Sequence, residues 1–523
     1  MATKMLSRPM MTPMLLFSCF CLLIGDMLFG FDTGSFSGIL GNPGFINQFG
    51  TYHPKAQSYS LDSLHTSLLS SLAFIGKFIG CLAAGPAIER YGHRVVFHAL
   101  SVISIIGVIV EITAAGTASG TGRYAQFVVG RIIVYISIGL VEVGVTTYQS
   151  EIVPASFRGL VVISLQLFLV CGSLLASGVN KAFATRDDSV GWRTVTGIQF
   201  IFPVLIILFT IFISDSPRWL LSKNRDEDAL AVLRRLRPKE HAANGQCASE
   251  LQEIRGALQE EVHKASWLDL IRGSNLRRSS IVMVFYFFQQ ATGQAYVSTY
   301  QTKFYQQNGY ADQAYTYPII TSVLGMVAML PAMYFVDKLG RRRTLFISFS
   351  FQALWMYVMA GLGEHKYLNA MQKDTIVAVF MLYQVFYNIG GASIPYLLGA
   401  EIPNAAVREK TQSLGGAWNV VWAFVTNFVI PYMMADMGSF RVGWVFGSVS
   451  VLGLVYTFFF LPETKGLTLE EVDDVFSTPF NPFRKVQLHH GRNTLYGDKA
   501  QIDEVIGTTE LGSKATNVNL AAV

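Results

Sequence analysis

Ionisable side chains set inside long apolar runs are the residues of this chain best placed to do chemistry. Asp32 lies in the apolar stretch 14–40, with Asp26 as a second acid, and Lys77, Glu111 and Glu142 lie in later stretches of the same kind. A charge in such surroundings is costly without a partner, so each is a candidate for proton transfer, ion pairing or contact with a solute. Lys77 can pair with Glu111 or with Glu142, or meet an acidic or keto-bearing substrate; the spacing leaves these alternatives open. Among neutral groups, amides such as Gln166, Gln289, Gln290 and Asn427 both donate and accept, which suits a hydroxyl-rich ligand as well as a bond to a neighbouring helix. No Walker loop, zinc-ligand spacing, Ser/His/Asp arrangement or CxxC pair is present, which leaves an ATP-driven pump or membrane enzyme without a chemical engine. No metal or cofactor is implied.

These groups have to be positioned by membrane helices. Over 523 residues, 51% are hydrophobic and 14% charged, with a mean hydropathy of +0.38, too apolar for a soluble enzyme and too patterned for a fibrous or disordered chain. Apolar runs predict spans near 14–40, 64–88, 94–115, 123–150, 159–180 and 193–214, then 278–305, 314–336, 343–363, 374–400, 412–435 and 441–461. The expected fold is therefore all-α, with twelve transmembrane helices. Lys4 and Arg8, Arg90 and Arg94, Arg158, Lys338 with Arg341, Arg342 and Arg343, and Arg408 with Lys410 gather on one side. By the positive-inside rule that side is cytoplasmic, and an even number of crossings puts both termini there. The net charge of +5 is spent on these loops and does not point to nucleic acid. Cys19, Cys21, Cys81 and Cys171 lie in apolar runs and Cys247 in a polar segment, so no disulfide framework is expected.

The expected organisation is a short N-terminus at 1–13, a six-helix half at 14–214, a hydrophilic linker at 215–277, a second half at 278–461 and a tail at 462–523. Helical spacing in Asp226–Arg237 and Ser249–Lys264 predicts amphipathic helices in the linker, and composition predicts disorder after about 478.

The two halves repeat one another. The segment around Glu89-Arg90-Tyr91-Gly92-His93-Arg94 returns as Asp337-Lys338-Leu339-Gly340-Arg341-Arg342, its acid 248 positions later. Glu151 with Arg158 returns as Glu401 with Arg408, and Asp215 with Arg218 is echoed by Glu463 with Lys465. Parallel six-helix repeats are the pattern of alternating-access carriers, with the solute held between the halves. The repeated acid and Arg clusters either fix orientation or pair across the halves in one state and separate in the other.

Taken together, Gly30-Phe-Asp32-Thr-Gly34, Gly130-Arg131, Glu151–Gly159, Gln289-Gln290-Ala-Thr-Gly293, Asp337–Arg343, Ala400-Glu401-Ile-Pro403 and Pro462-Glu-Thr-Lys-Gly466 resemble the sugar porter family of the major facilitator superfamily, its fungal proton symporters above all. The resemblance covers about 14–475. It implies that Asp32 pairs with Arg131 and that protonating the acid releases the pair, against the alternative of a static salt bridge. It also implies sugar-binding roles for Gln166, Gln289, Gln290 and Asn427, with Gln294 and Tyr396 in the same pocket, and an outer gate at Tyr300. Departures fall in that pocket: Ala295 stands where an Asn is usual, Gln294 follows Gly293 where an aliphatic is common, Gly391-Ala392-Ser393 replaces Trp-Gly-Pro, and Tyr396 and Phe424 each replace a Trp. A larger or less hydroxylated ligand than glucose is what these changes suit. The implied function is proton-coupled symport of a sugar or sugar-like solute at the plasma membrane by a monomeric unit in the lipid bilayer, with proton-antiport export or non-transporting sugar sensing as the alternatives.

Overall fold

The computed structural model describes residues 12–476 apart from 56, 155–157, 261–265, 366, 405–406, 466, 468–471 and 473–474. The expectations for 1–11 and for the tail after about 478 lie outside these residues.

The first six-helix group is α1 (Pro13–Ile39), α2 (Ser63–Tyr91), α3 (His93–Ile112), α4 (Tyr124–Ile152), α5 (Arg158–Ala182) and α6 (Ser189–Thr210). Thr12 starts α1 by accepting a hydrogen bond from the Leu15 amide, with Pro13 at the first helical position, where its missing N–H costs nothing. A small hairpin, Thr51–His53 against Ser58–Ser60, lies between α1 and α2. The linker holds the amphipathic helices α7 (Asp226–Leu236) and α8 (Gln246–Glu260). Cys247, expected in a polar segment, is buried at the start of α8.

The second group begins with a broken helix. Its three pieces are α9 (Gly273–Ala291), α10 (Gln294–Ser298) and α11 (Gln301–Gln307), where a continuous helix over 278–305 was expected. Gly293 causes the first break: its φ of +105° is left-handed, and a Cβ there would come within 2.9 Å of the Phe446 ring. Then follow α12 (Tyr317–Leu339), α13 (Arg341–Leu362), α14 (Ala370–Glu401, with a π turn at Tyr387–Gly391), α15 (Arg408–Asp436) and α16 (Val442–Phe460). Among the described residues ten helices are long and apolar enough to cross a membrane; the broken α9–α11 and the shorter apolar stretch of α12 account for the other two expected spans.

Within the first group α1 packs on α5, and α4 on both α2 and α3; within the second α9 packs on α15, and α13 on α14 and α16. The groups meet where α2 crosses α15 and α5 crosses α12, a pairing that follows the internal repeat. Lipid offers no hydrophobic drive between helices, so close backbone approach matters. A Cβ at Gly25 would press on Val141, and one at Gly139 would lie 2.3 Å from the Lys77 carbonyl oxygen. These two contacts draw α1, α2 and α4 together at Asp26, Lys77 and Glu142.

One apolar core mixes both groups, with Phe36, Leu40, Phe45 and Trp192 from the first and Tyr296, Tyr300, Phe304 and Phe380 from the second. Two further cores draw on a single group each, around Leu22, Phe97 and Tyr148 and around Phe285, Phe349 and Leu398.

Candidate functional site

A cavity of about 130 Å³ lies between the groups. Gln166, Gln289, Gln290, Gln294, Tyr396 and Asn427, all singled out from the sequence, line it, as does Lys77. The amides are mostly held by protein partners. Gln289 Nε2 donates to the Ala392 carbonyl at 2.6 Å and its Oε1 accepts from Asn419 at 2.7 Å, while Gln290 Nε2 donates to Asn419 Oδ1 at 3.1 Å. Gln294 donates to Ser298 at 3.0 Å and Asn427 to the Ala423 carbonyl at 2.8 Å. Three polar atoms in the lining are buried with no hydrogen-bond partner: Asn388 Nδ2, Gln301 Oε1 and Gln384 Oε1. One donor and two acceptors left open in this way match a ligand that both accepts and donates, as hydroxyls do. Asn388, Gln301, Gln384 and Asn419 were missed from the sequence; a polar amide within an apolar span was the signal. Ala295 and Phe424, read as pocket changes, do not line the cavity: Ala295 is in the shared core and Phe424 stacks on Phe428.

Asp32 and Arg131 meet, buried, at 3.3 Å. Gln199 Nε2 donates to the other Asp32 oxygen at 2.7 Å, Arg131 donates to the Tyr135 hydroxyl at 3.3 Å, and the guanidinium stacks 3.6 Å from the Phe36 ring centre. Gln199 and Tyr135 were not anticipated. Glu111 does not reach Lys77; it lies beside this pair, interacting electrostatically with Arg131 and Asp32, and its buried Oε1 has no hydrogen-bond partner. Lys77 pairs instead with Glu142 at 2.9 Å, under the Phe29 ring, and Glu142 also accepts from the Tyr396 hydroxyl of the second group at 3.1 Å.

The basic loops form one face of the molecule. There Gly92 and Gly340 hold the same left-handed turn, at φ +85° and +92°, and a Cβ at either would strike the carboxylate of Asp215 or Glu463. Asp215 accepts the Arg94 amide at 3.0 Å, and Glu463 accepts the amides of Arg341 and Arg342 at 2.9 and 3.2 Å. Both acids therefore cap the start of the next helix, where the positive dipole end favours them. Arg341 also grips Glu401 at 2.7 and 3.2 Å, and Thr464 donates to the same carboxylate. Glu151 lies 3.7 Å from His93, and Arg408 donates to the Pro403 carbonyl at 3.4 Å. Glu89 is exposed, its carbonyl accepting from Trp219, and Arg218 sits in the short helix Pro217–Ser222. The side chains of Arg158 and Asp337 lie outside the described residues. Each of the contacts named here closes within its own group.

On the far face several hydrogen bonds cross between groups. Ser67 donates to the Phe428 carbonyl at 2.7 Å, Gln306 to that of Gly41 at 2.9 Å, Tyr315 to that of Gly38 at 3.3 Å and Lys303 to Thr66 at 3.1 Å. Tyr300, fully buried, donates within the second group to the Asn427 carbonyl at 2.6 Å.

Residues 18–476 match the family described as "Sugar (and other) transporter". The chain belongs to that family. It is thus a membrane-spanning transporter and not an enzyme. The transporter is 28% identical over 470 residues to the high-affinity glucose transporter ght2 of Schizosaccharomyces pombe, covering 87% of this chain and 86% of the relative. It is similarly 28% identical over 479 residues to the high-affinity gluconate transporter ght3 of the same yeast, covering 88% and 84%. Hexose transporter HXT8 of Saccharomyces cerevisiae is 27% identical over 478 residues, covering 89% and 82%. In fold the transporter resembles the proton:xylose symporter XylE bound to 6-bromo-6-deoxy-D-glucose, with a TM-score of 0.73 at 23% identity, over 88% of this chain and 99% of that one. The major facilitator fold that the family resemblance implied is the one found.

Proposed function

We propose that this protein is a proton-coupled symporter of a sugar or sugar-like solute. The observation that carries the reading is the buried Asp32–Arg131 pair on α1 and α4, next to a cavity lined by amides with open donors and acceptors. Protonating Asp32 removes half of an ion pair held in a low-dielectric interior, so proton binding changes the packing of α1 against α4 beside the solute. Proton coupling in a protein of the same fold, and glucose, hexose and gluconate transport among relatives, support it. The two six-helix units, 14–214 and 278–461, rock about the cavity, joined by the linker 215–277. The basic-loop face is the cytoplasmic one, with both termini on it, the membrane is the plasma membrane and the transport unit is a monomer. The far-face contacts then close an outer gate that includes Tyr300.

The test is uptake in transporter-deficient yeast of labelled D-glucose, D-xylose, maltose, myo-inositol and D-gluconate, with and without a protonophore, beside Asp32→Asn. Protonophore-sensitive uptake of one class, with accumulation lost in the variant, is the expected result. Uptake that equilibrates the solute and ignores both treatments would overturn coupling and leave Asp32–Arg131 as structure.

A further inference from the structure

The charge cluster around Lys77 is not used by the Asp32 mechanism, yet it repeats that site's composition. Each cluster sets two carboxylates beside one base: Asp32 and Glu111 with Arg131, and Asp26 and Glu142 with Lys77. In each, one acid takes the base and the other keeps an oxygen shut off from water with no hydrogen-bond partner, Glu111 Oε1 in the first and Asp26 Oδ2 in the second. One base neutralises one carboxylate. Glu142 is partly exposed, but an unpaired acid left ionised with an oxygen shut off from water, Glu111 in the first cluster or Asp26 in the second, would be an uncompensated charge in the membrane interior, so one proton has to be shared within each cluster.

The second cluster is also placed to report on transport. Gly25 against Val141 and Gly139 against the Lys77 backbone bring the three helices together there. Facing the carboxylates are Lys77 and Cys81 from α2, whose thiol donates to Glu142 at 3.8 Å, and Tyr396 from α14, whose hydroxyl donates at 3.1 Å. Tyr286 of α9 lies behind Tyr396, the rings 5.4 Å apart and edge-on. The Tyr396 bond crosses between the two groups, and Lys77 and Tyr396 both line the cavity, so solute entry and rocking each disturb the acid that shares the proton.

We propose that the Asp26–Lys77–Glu142 cluster is a second proton-carrying site, so that the transporter moves two protons with each solute. The inference rests on the reading as a proton symporter and adds stoichiometry to it. In the carrying state one proton resides on Asp26 or Glu142 and Lys77 balances the other carboxylate. When separation of the groups breaks the Tyr396 bond and admits water, that proton leaves to the solvent.

The experiment uses the full-length transporter in proteoliposomes, with whichever of D-glucose, D-xylose, maltose and myo-inositol it carries best. The solute gradient at zero net flux is read under an imposed proton-motive force of about 59 mV, a factor of about ten for each proton. Wild type holds a gradient of about a hundredfold. Asp26→Asn and Glu142→Gln each leave one acid with one base and hold about tenfold, the two variants guarding against a folding defect in either. Infrared difference spectra give a readout that needs no transport: each variant loses one protonated-carboxyl band relative to wild type. A wild-type gradient of about tenfold, or variants that keep about a hundredfold and the full carboxyl band, overturns the second site and leaves single-proton symport standing. A solute that the transporter carries but only equilibrates, with no proton-dependent gradient, overturns the symporter reading and this inference with it.

Discussion

The far face and the basic-loop face of this transporter are built from the same twelve-span repeat, yet they are held together differently. On the far face one apolar core draws on both groups, and hydrogen bonds from Ser67, Gln306 and Tyr315 end on carbonyls of the opposite group. On the basic-loop face each group keeps its own core, and Asp215, Glu401 and Glu463 serve the turns and helix starts of their own half. The seal therefore consists mostly of neutral groups, with Lys303 as a cation among them, whose bonds are individually weak and can be released and remade. The charged groups do a different job: they tie turns and helix starts together within each half.

That contrast can be broken most forcefully at Trp192, which is fully buried among Phe45, Phe49 and Phe127 with ring centres 5.4 to 5.7 Å away. Trp192→Ala is expected to cost about 3–5 kcal/mol, read as a fall in thermal unfolding temperature in detergent; a loss well under that would mean the far-face core is loosely packed. Glu401→Gln is next. It leaves the partly buried Arg341 without its carboxylate at an expected cost of about 1–3 kcal/mol. Because both partners belong to the second group, stability should fall without any change in which face is sealed, as measured by thiol labelling of cysteines placed on either face. Ser67→Ala acts the other way. It removes one crossing bond, about 1 kcal/mol, and should shift the balance between sealed and open far face about fivefold, speeding labelling of Thr302→Cys on the sealed layer. An unchanged rate would show that the apolar core holds the seal alone.

The smallest effect is expected at the exposed pair Glu364–Arg441, 2.8 Å apart, in which the hydrogen bond from Arg441 lowers the Glu364 carboxyl below the usual glutamate range. A lowered folded value means the contribution is complete above the ordinary carboxyl range and fades as pH falls through the lowered one. Glu364→Gln should accordingly lose a little stability at neutral pH and none near pH ~2, where wild type has lost the pair too. Equal differences at both would contradict the assignment.

Much of the fold was legible because it rests on local sums. Runs of apolar residues, basic loops and the 248-residue echo of Glu89 in Asp337 need no long-range knowledge. The broken α9–α11 was not legible, since Thr292 and Gly293 read as tolerable in a helix until the Phe446 ring arrives from α16. In the site, the acids and amides stood out by being polar in apolar surroundings, but their partners did not. Lys77 had two acids within reach by span position, and only the approach of Gly139 to the Lys77 backbone turned it to Glu142. Gln199 escaped notice because a glutamine near a span end carries no signal until it is seen to donate to Asp32.

The amino-acid sequence by itself determined that this chain crosses a membrane many times, that it is doubled, and which few residues carry charge or amides into the apolar interior. Those properties follow from transfer free energies and spacing, which are additive along the chain. Tertiary structure alone decided which base answers which acid, which amides stay open toward the cavity and which face is sealed. Those outcomes depend on contacts between helices far apart in sequence, where a single close glycine approach sets the geometry of a buried pair.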